Sequence, residues 1–473
     1  MEFIKKLRTS KFGQIFRYSI IKYIALGFGF LKGIINAKFL GPDLLGVLGN
    51  LTLILGYCTY ANLGIVHSMN REYVLANENS GDESKDVLST SFTFLVILSL
   101  LFLCLSLGSI FAYKNIFGIY LALIFLIAIF EQFKNYFVNY FRLLDNYNMI
   151  NLIEVIYSIV AFILTLLLIN NYKIYGVLFA MLICGIVILI VCILKANFIK
   201  LKIDKRILKN LISIGIPLLI YNLGFYILTT IDRWIILRYY TDSDLGYYTF
   251  ANSMVNATLV FISSILFLLY PKLIKAFNEG RNKNIEEKVK VYTKLLEVSS
   301  AIFFSIGVII FKPFVSIVVN KYLDSIGIYM ILLIAIIINN LSYFANSYIV
   351  SNKNQKYLVY LQVISGIINL SFNLLFVKIG MGVIGVALGT LIANAIYSYI
   401  QYSLFFKLNS SKFNFVSTFK VYCRIFIYSI VISIMILLQV RYSIYILVVL
   451  GLTIALYLNE LKKIDEYIKI LKE

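Results

Sequence analysis

Long apolar runs, separated by short charged connections, follow one another from end to end of the chain. A helix rises 1.5 Å per residue, so a run of about 18–20 apolar residues matches the ~30 Å hydrocarbon core of a bilayer. Fourteen such runs are present, at 18–38, 44–67, 89–113, 116–141, 147–170, 174–195, 209–238, 245–270, 295–312, 325–349, 357–378, 382–406, 421–438 and 442–459. The stretches 95–113, 174–194 and 425–438 have no water-soluble reading. The pattern predicts an all-α polytopic membrane protein of about 14 transmembrane helices. No connection reaches 50 residues, which leaves no room for a soluble domain.

Proline and an internal echo organise the runs. Pro42, Pro271 and Pro313 stand at run ends, while Pro217 falls inside the seventh run and predicts a kink there. The stretch Lys32-Gly33-Ile34-Ile35-Asn36 is followed by Gly41-Pro42-Asp43-Leu44-Leu45-Gly46 and a helix to Arg71. Two hundred residues on, Asp232-Arg233-Trp234-Ile235-Ile236 is followed by Thr241-Asp242-Ser243-Asp244-Leu245-Gly246 and a helix to Pro271. A shorter echo pairs Ile174-Tyr175-Gly176-Val177 with Ile384-Gly385-Val386. Two six-helix lobes, 1–200 and 201–410, plus a C-terminal helix pair and tail at 411–473, account for both echoes. Six spans per lobe is an even number, so the lobes form a parallel repeat about the membrane normal, with a substrate path between them.

Composition agrees: 61% of residues are hydrophobic and 14% charged, against roughly 25% charged in soluble domains. The net charge of +20 would suit nucleic acid, but its distribution argues otherwise. When connections are assigned alternately to two sides, 31 of the 43 lysines and arginines share the side of the N-terminus and 8 lie opposite. That is the positive-inside pattern; it excludes a nucleic-acid partner and predicts that both termini are cytoplasmic. The basic N-terminus runs straight into a full span, so no cleaved signal peptide is expected. The five cysteines show no Cys-x-x-Cys spacing. With one histidine (His67), no P-loop and no Gly-x-Ser-x-Gly elbow, the sequence indicates no metal, cofactor or catalytic site.

Ionisable residues inside spans carry the chemistry. Each costs roughly 2.5–3.5 kcal/mol at mid-helix, so such residues face protein or water and mark function. In the first span Lys22, Ala25, Gly29, Lys32 and Asn36 fall along one stripe. In the seventh, Asn222, Tyr226, Thr229 and Arg233 do the same, with Asp232 beside them. The eighth offers Asn252 and Asn256. Arg71 and Arg142 close the second and fourth spans, and Glu131 and Lys134 are placed to pair with each other. Glu154, in the fifth span, has no obvious partner, which makes it the candidate for proton or ion coupling. A cationic path without an ATPase suits an anionic cargo, and a diphosphate would bind it through charge-assisted hydrogen bonds.

Lys32 to Gly46, Asn62-Leu63-Gly64-Ile65, Arg71-Glu72, and the block holding Pro217, Asp232-Arg233, Asp244-Leu245-Gly246-Tyr247-Tyr248 and Pro271 resemble Wzx-type polysaccharide flippases. The resemblance spans most of the chain and is strongest over 20–75 and 210–275. It implies the multidrug/oligosaccharidyl-lipid/polysaccharide exporter fold in a bacterial cytoplasmic membrane. It also implies translocation of undecaprenyl-diphosphate-linked glycans, with membrane lipids around the chain and glycosyltransferases and a polysaccharide polymerase as working partners. O-antigen, capsule and teichoic acid are all possible destinations. The family's cationic lumen maps onto Lys32, Arg71 and Arg233. Two other functions fit the composition: a multidrug/cation antiporter of the same fold, which needs open membrane carboxylates, and an integral-membrane glycan transferase. The outer connections, such as 170–173 and 239–244, are short for a transferase.

Overall fold

The computed structural model describes residues 11–79, 81–196, 200–278, 285–352, 354–410 and 415–463. The basic residues Lys5, Lys6, Arg8, Lys469 and Lys472 lie outside the described residues. Every regular element described is helical, as expected where lipid offers the backbone no hydrogen-bond partner. In chain order these are α1 (Lys11–Cys58), α2 (Ile65–Asn79), α3 (Gly81–Ala112), α4 (Ile116–Leu143), α5 (Tyr147–Val155), α6 (Ala161–Tyr172), α7 (Ile174–Lys195) and α8 (Lys205–Leu228). Then follow α9 (Ile231–Tyr239), α10 (Asp242–Asn278), α11 (Ile285–Val318), α12 (Ser325–Leu341) and α13 (Tyr343–Ser351). The last four are α14 (Gln355–Ile379), α15 (Gly382–Ser410), α16 (Phe415–Leu437) and α17 (Tyr442–Lys462).

Among the described residues, twelve helical stretches are long and apolar enough to cross a membrane. The first, Ile20–Asn77, has 58 residues. As a straight helix it would be roughly 87 Å long, far more than one crossing needs. It breaks at Gly41, whose φ of 73° and ψ of 174° only glycine adopts without strain. Pro42 then opens the return helix, where a missing N–H costs nothing. Lys32 has Glu131 and Lys134 of α4 as charge neighbours, and the Cys58 carbonyl accepts from Gln132 Nε2 of the same stretch at 2.7 Å. Two residues so far apart on a continuous helix could not share one stretch of a neighbour, so the chain folds back at Gly41. With the first stretch counted as two crossings, and the 37-residue α10 added, the total is fourteen.

The interior breaks differ from those the prolines suggested. Helix α8 continues through Pro217, and the seventh span is interrupted at Thr229-Thr230 instead. Both threonine hydroxyls donate to the Tyr226 carbonyl, at 3.0 and 2.8 Å, competing with the backbone for it. Pro313 also lies within a continuous helix, α11. The fifth span carries a π-turn, Ile156–Val160, between α5 and α6. The tenth breaks at Ser342, whose hydroxyl donates to Asn339 O and Gln401 Oε1.

The chain separates into two compact units, Met1–Leu223 and Gly224–Glu473, with the boundary inside α8. In the first unit, α4 presents Tyr136, Phe137, Tyr140 and Phe141 to the interior, all at most 1% exposed. Phe92 of α3 packs on this ladder. The connection before α8 is strapped to α3: Ser89, Thr90 and Thr93 accept from the backbone N–H groups of Lys200, Asp204 and Lys202. Lys202 Nζ pairs with Asp86 at 2.6 Å, and that hydrogen bond raises the ammonium's pKa, keeping it charged. Asp204 caps α8 by accepting from Arg206 N and Ile207 N. In the second unit α12 is heavily enclosed, and large buried side chains include Tyr248, Tyr329, Tyr402, Tyr422 and Tyr428. Outward faces are apolar (Phe111 is 77% and Ile317 83% exposed), as a lipid-facing surface requires.

Candidate substrate site

In the first unit the stripe along α1 holds exposed Lys22, half-buried Lys32 and half-buried Asn36. Between and beside the lysines, Gly29 and Gly33 face open space. Lys22 Nζ meets Glu154 Oε1 at 2.6 Å, joining α1 to α5. No local spacing points to this partner, because 132 residues separate the two. On α4, Lys134 pairs with Glu131 at 2.5 Å across one helical turn, as the spacing predicts. Lys134 Nζ also stands 3.3 Å from the centroid of the Tyr157 ring, and the Tyr157 hydroxyl hydrogen-bonds Glu131. Lys32 completes the group, with Glu131, Lys134 and Cys184 around it. Three lysines thus face two glutamates, an excess of one positive charge among membrane helices. The buried Asn36 Oδ1, one turn beyond Lys32, accepts no hydrogen bond.

Arg71 and Arg142 are both exposed. Arg142 donates to Asn139 Oδ1 at 2.7 Å, and the same oxygen accepts from Asn70 Nδ2 at 3.0 Å. Arg142 lies eight residues past Lys134 on α4, about 12 Å along the axis. It therefore stands apart from the lysine cluster.

In the second unit Asp232 is buried at the start of α9. One carboxylate oxygen accepts from the Tyr248 hydroxyl and the other from the Arg233 backbone N–H at 2.8 Å. Tyr248 is held in turn by Thr390 of α15. Asp232 is thus fixed in place as a lock between α9, α10 and α15. Arg233 is half-buried, and its Nε is enclosed without a hydrogen bond. Asn252, half-buried, and Asn256, exposed, follow Tyr248 at four-residue steps, so all three share one face of α10. Sequence reasoning missed Tyr157 and Tyr248 as site residues. Tyr248 sits within the Asp244-Tyr248 block already singled out; Tyr157 carried no such signal.

Residues 14–277 match the family described as "Polysaccharide biosynthesis protein", more than half of the chain. No curated protein sequence matches it. Among solved structures, the lipid II flippase MurJ in an inward closed conformation is 17% identical with a TM-score of 0.72, covering 95% of this chain and 99% of that one. An inward-facing multidrug resistance MATE family transporter of the MOP superfamily is 16% identical with a TM-score of 0.69, covering 84% and 98%. An outward-facing structure of a MATE transporter is 17% identical with a TM-score of 0.57, covering 86% and 98%. At these identities the likeness speaks to fold, and it agrees with the Wzx-type resemblance of the motifs. The chain belongs to the polysaccharide biosynthesis protein family and carries the fold shared by MurJ and the MATE transporters.

Proposed function

We propose that this protein flips undecaprenyl-diphosphate-linked oligosaccharide repeat units across the bacterial cytoplasmic membrane by alternating access, with both termini cytoplasmic, to supply a surface polysaccharide. The observation that carries the reading is the lysine excess on α1 and α4 beside the open space at Gly29 and Gly33. A diphosphate would engage Lys22 and Lys32, with Arg233 as a separate cationic candidate, while the isoprenoid tail stays in lipid. In this reading Asn252 and Asn256 would offer hydrogen bonds to sugar hydroxyls, and Arg71 and Arg142 would attract the anionic head group. Glu154, the coupling candidate for want of a partner in the sequence, has one in Lys22.

A hydrogen bond to a charged group contributes about 1.5–3 kcal/mol, or roughly 10- to 100-fold in binding. Lys32→Ala and Arg233→Ala are therefore expected to abolish surface polysaccharide in cells while leaving membrane insertion intact. Normal polysaccharide from both variants would refute the assignment. A cation antiporter is the competing function. Its site needs an open carboxylate, yet Glu131 and Glu154 are paired with lysines and Asp232 is held by Tyr248 and the backbone. Efflux of a cationic dye that depends on Glu154 would favour that competitor.

A further inference from the structure

The two ion pairs of the first unit are built differently. Lys134 and Glu131 belong to one helix, lie 15% and 12% exposed, and are closed over by Tyr157. That pair is fixed. Lys22 and Glu154 join two helices, and the lysine side chain is 46% exposed. Glu154 is the second-last residue of α5, just before the π-turn Ile156–Val160, and the Ser158 hydroxyl of that turn bonds the Glu154 carbonyl at 2.6 Å. The exposed half of the Lys22 side chain leaves room for a second group to approach the lysine.

From this contrast we infer that Glu154 is an internal placeholder for the cargo's anionic group: it occupies Lys22 while the site is empty and yields it to the diphosphate. This rests on the flippase reading above. The physical reason is the cost of an uncompensated ammonium among membrane helices. A carboxylate satisfies Lys22 without cargo. A diphosphate offers more charge and more acceptor oxygens than one carboxylate, so it wins the exchange. The competition also keeps binding weak enough for release. Lys32 has no dedicated partner of this kind; it shares the fixed Glu131–Lys134 pair.

Calorimetric titration of the detergent-solubilised full chain with farnesyl diphosphate tests this. A half-exposed pair is a modest competitor, so Glu154→Gln should tighten binding by roughly fivefold. The gain should vanish in a Lys22→Gln background, because the lysine for which Glu154 competes is gone. Glu154→Asp, which keeps the charge but shortens the reach, should give a smaller gain, and it decides the matter if Glu154→Gln does not elute as a folded protein. Unchanged or weaker binding by these variants, while the wild type binds and Lys32→Gln does not, overturns the placeholder and leaves the diphosphate site standing. A gain that persists without Lys22 also overturns it. A wild type that fails to bind farnesyl diphosphate overturns both.

Discussion

Replacing Gly64 with alanine is expected to collapse the thermal stability of the solubilised protein. Gly64 has a φ of +74°, and a methyl group there would fall on the carbonyl oxygen of Gly215 and 2.7 Å from its carbon. Both atoms are backbone of α8, so no side chain can rotate away. The left-handed conformation costs about 1–2 kcal/mol for a non-glycine residue. Overpacking adds about 1–3 kcal/mol. The combined loss of roughly 2–5 kcal/mol should appear as a much lower melting temperature on size-exclusion after heating. Gly215→Ala meets Leu63 O at 2.6 Å from the other side and should also destabilise, without the dihedral contribution. Gly27→Ala is the control: it faces open space within α1 and should be neutral or mildly stabilising. If Gly64→Ala melts with the wild type, the close approach of the Leu63–Gly64 turn to α8 is wrong.

The second large effect is expected at Arg424. Its guanidinium meets Glu460 at 2.6 Å, and Lys294 stands 3.9 Å from the same carboxylate oxygen. Glu460 is 4% exposed, and the neighbouring Glu297 is 2% exposed and accepts from the Tyr457 hydroxyl at 3.0 Å. These residues fasten α16 and α17 to α11. Arg424→Ala leaves a buried carboxylate short of its main counter-ion, a class of change that costs about 3–5 kcal/mol. Arg424 is partly exposed and Lys294 remains, so the lower end, about 3 kcal/mol, is expected. Arg424→Met combined with Glu460→Gln removes both charges and should recover most of the lost melting temperature. Equal melting of the single and double variants would show that the ion pair does not hold these helices.

Membrane crossings were legible because burial in lipid writes itself into local sequence: fourteen apolar runs became fourteen spans. The Glu131–Lys134 pair was legible for the same reason, since a three-residue spacing fixes proximity on a helix. The Lys22–Glu154 pair was not, because only tertiary packing of α1 on α5 brings the two together. Pro217 lies inside continuous α8, whereas the break of this span falls at the adjacent threonines 229–230, whose hydroxyls both take the Tyr226 carbonyl. Asp232 read as a cavity group; a tyrosine sixteen residues away takes its oxygen and makes it an anchor.

The reversal at Gly41 bears on how the protein is made. A one-residue break leaves no tether between the first two crossings, so neither can wait at the translocon while the other is threaded. They must enter the bilayer as a single hairpin, and the orientation chosen by the first dictates that of the second. An insertion widening this corner would free the two crossings to be handled separately, and topology would then depend on the flanking charges of each.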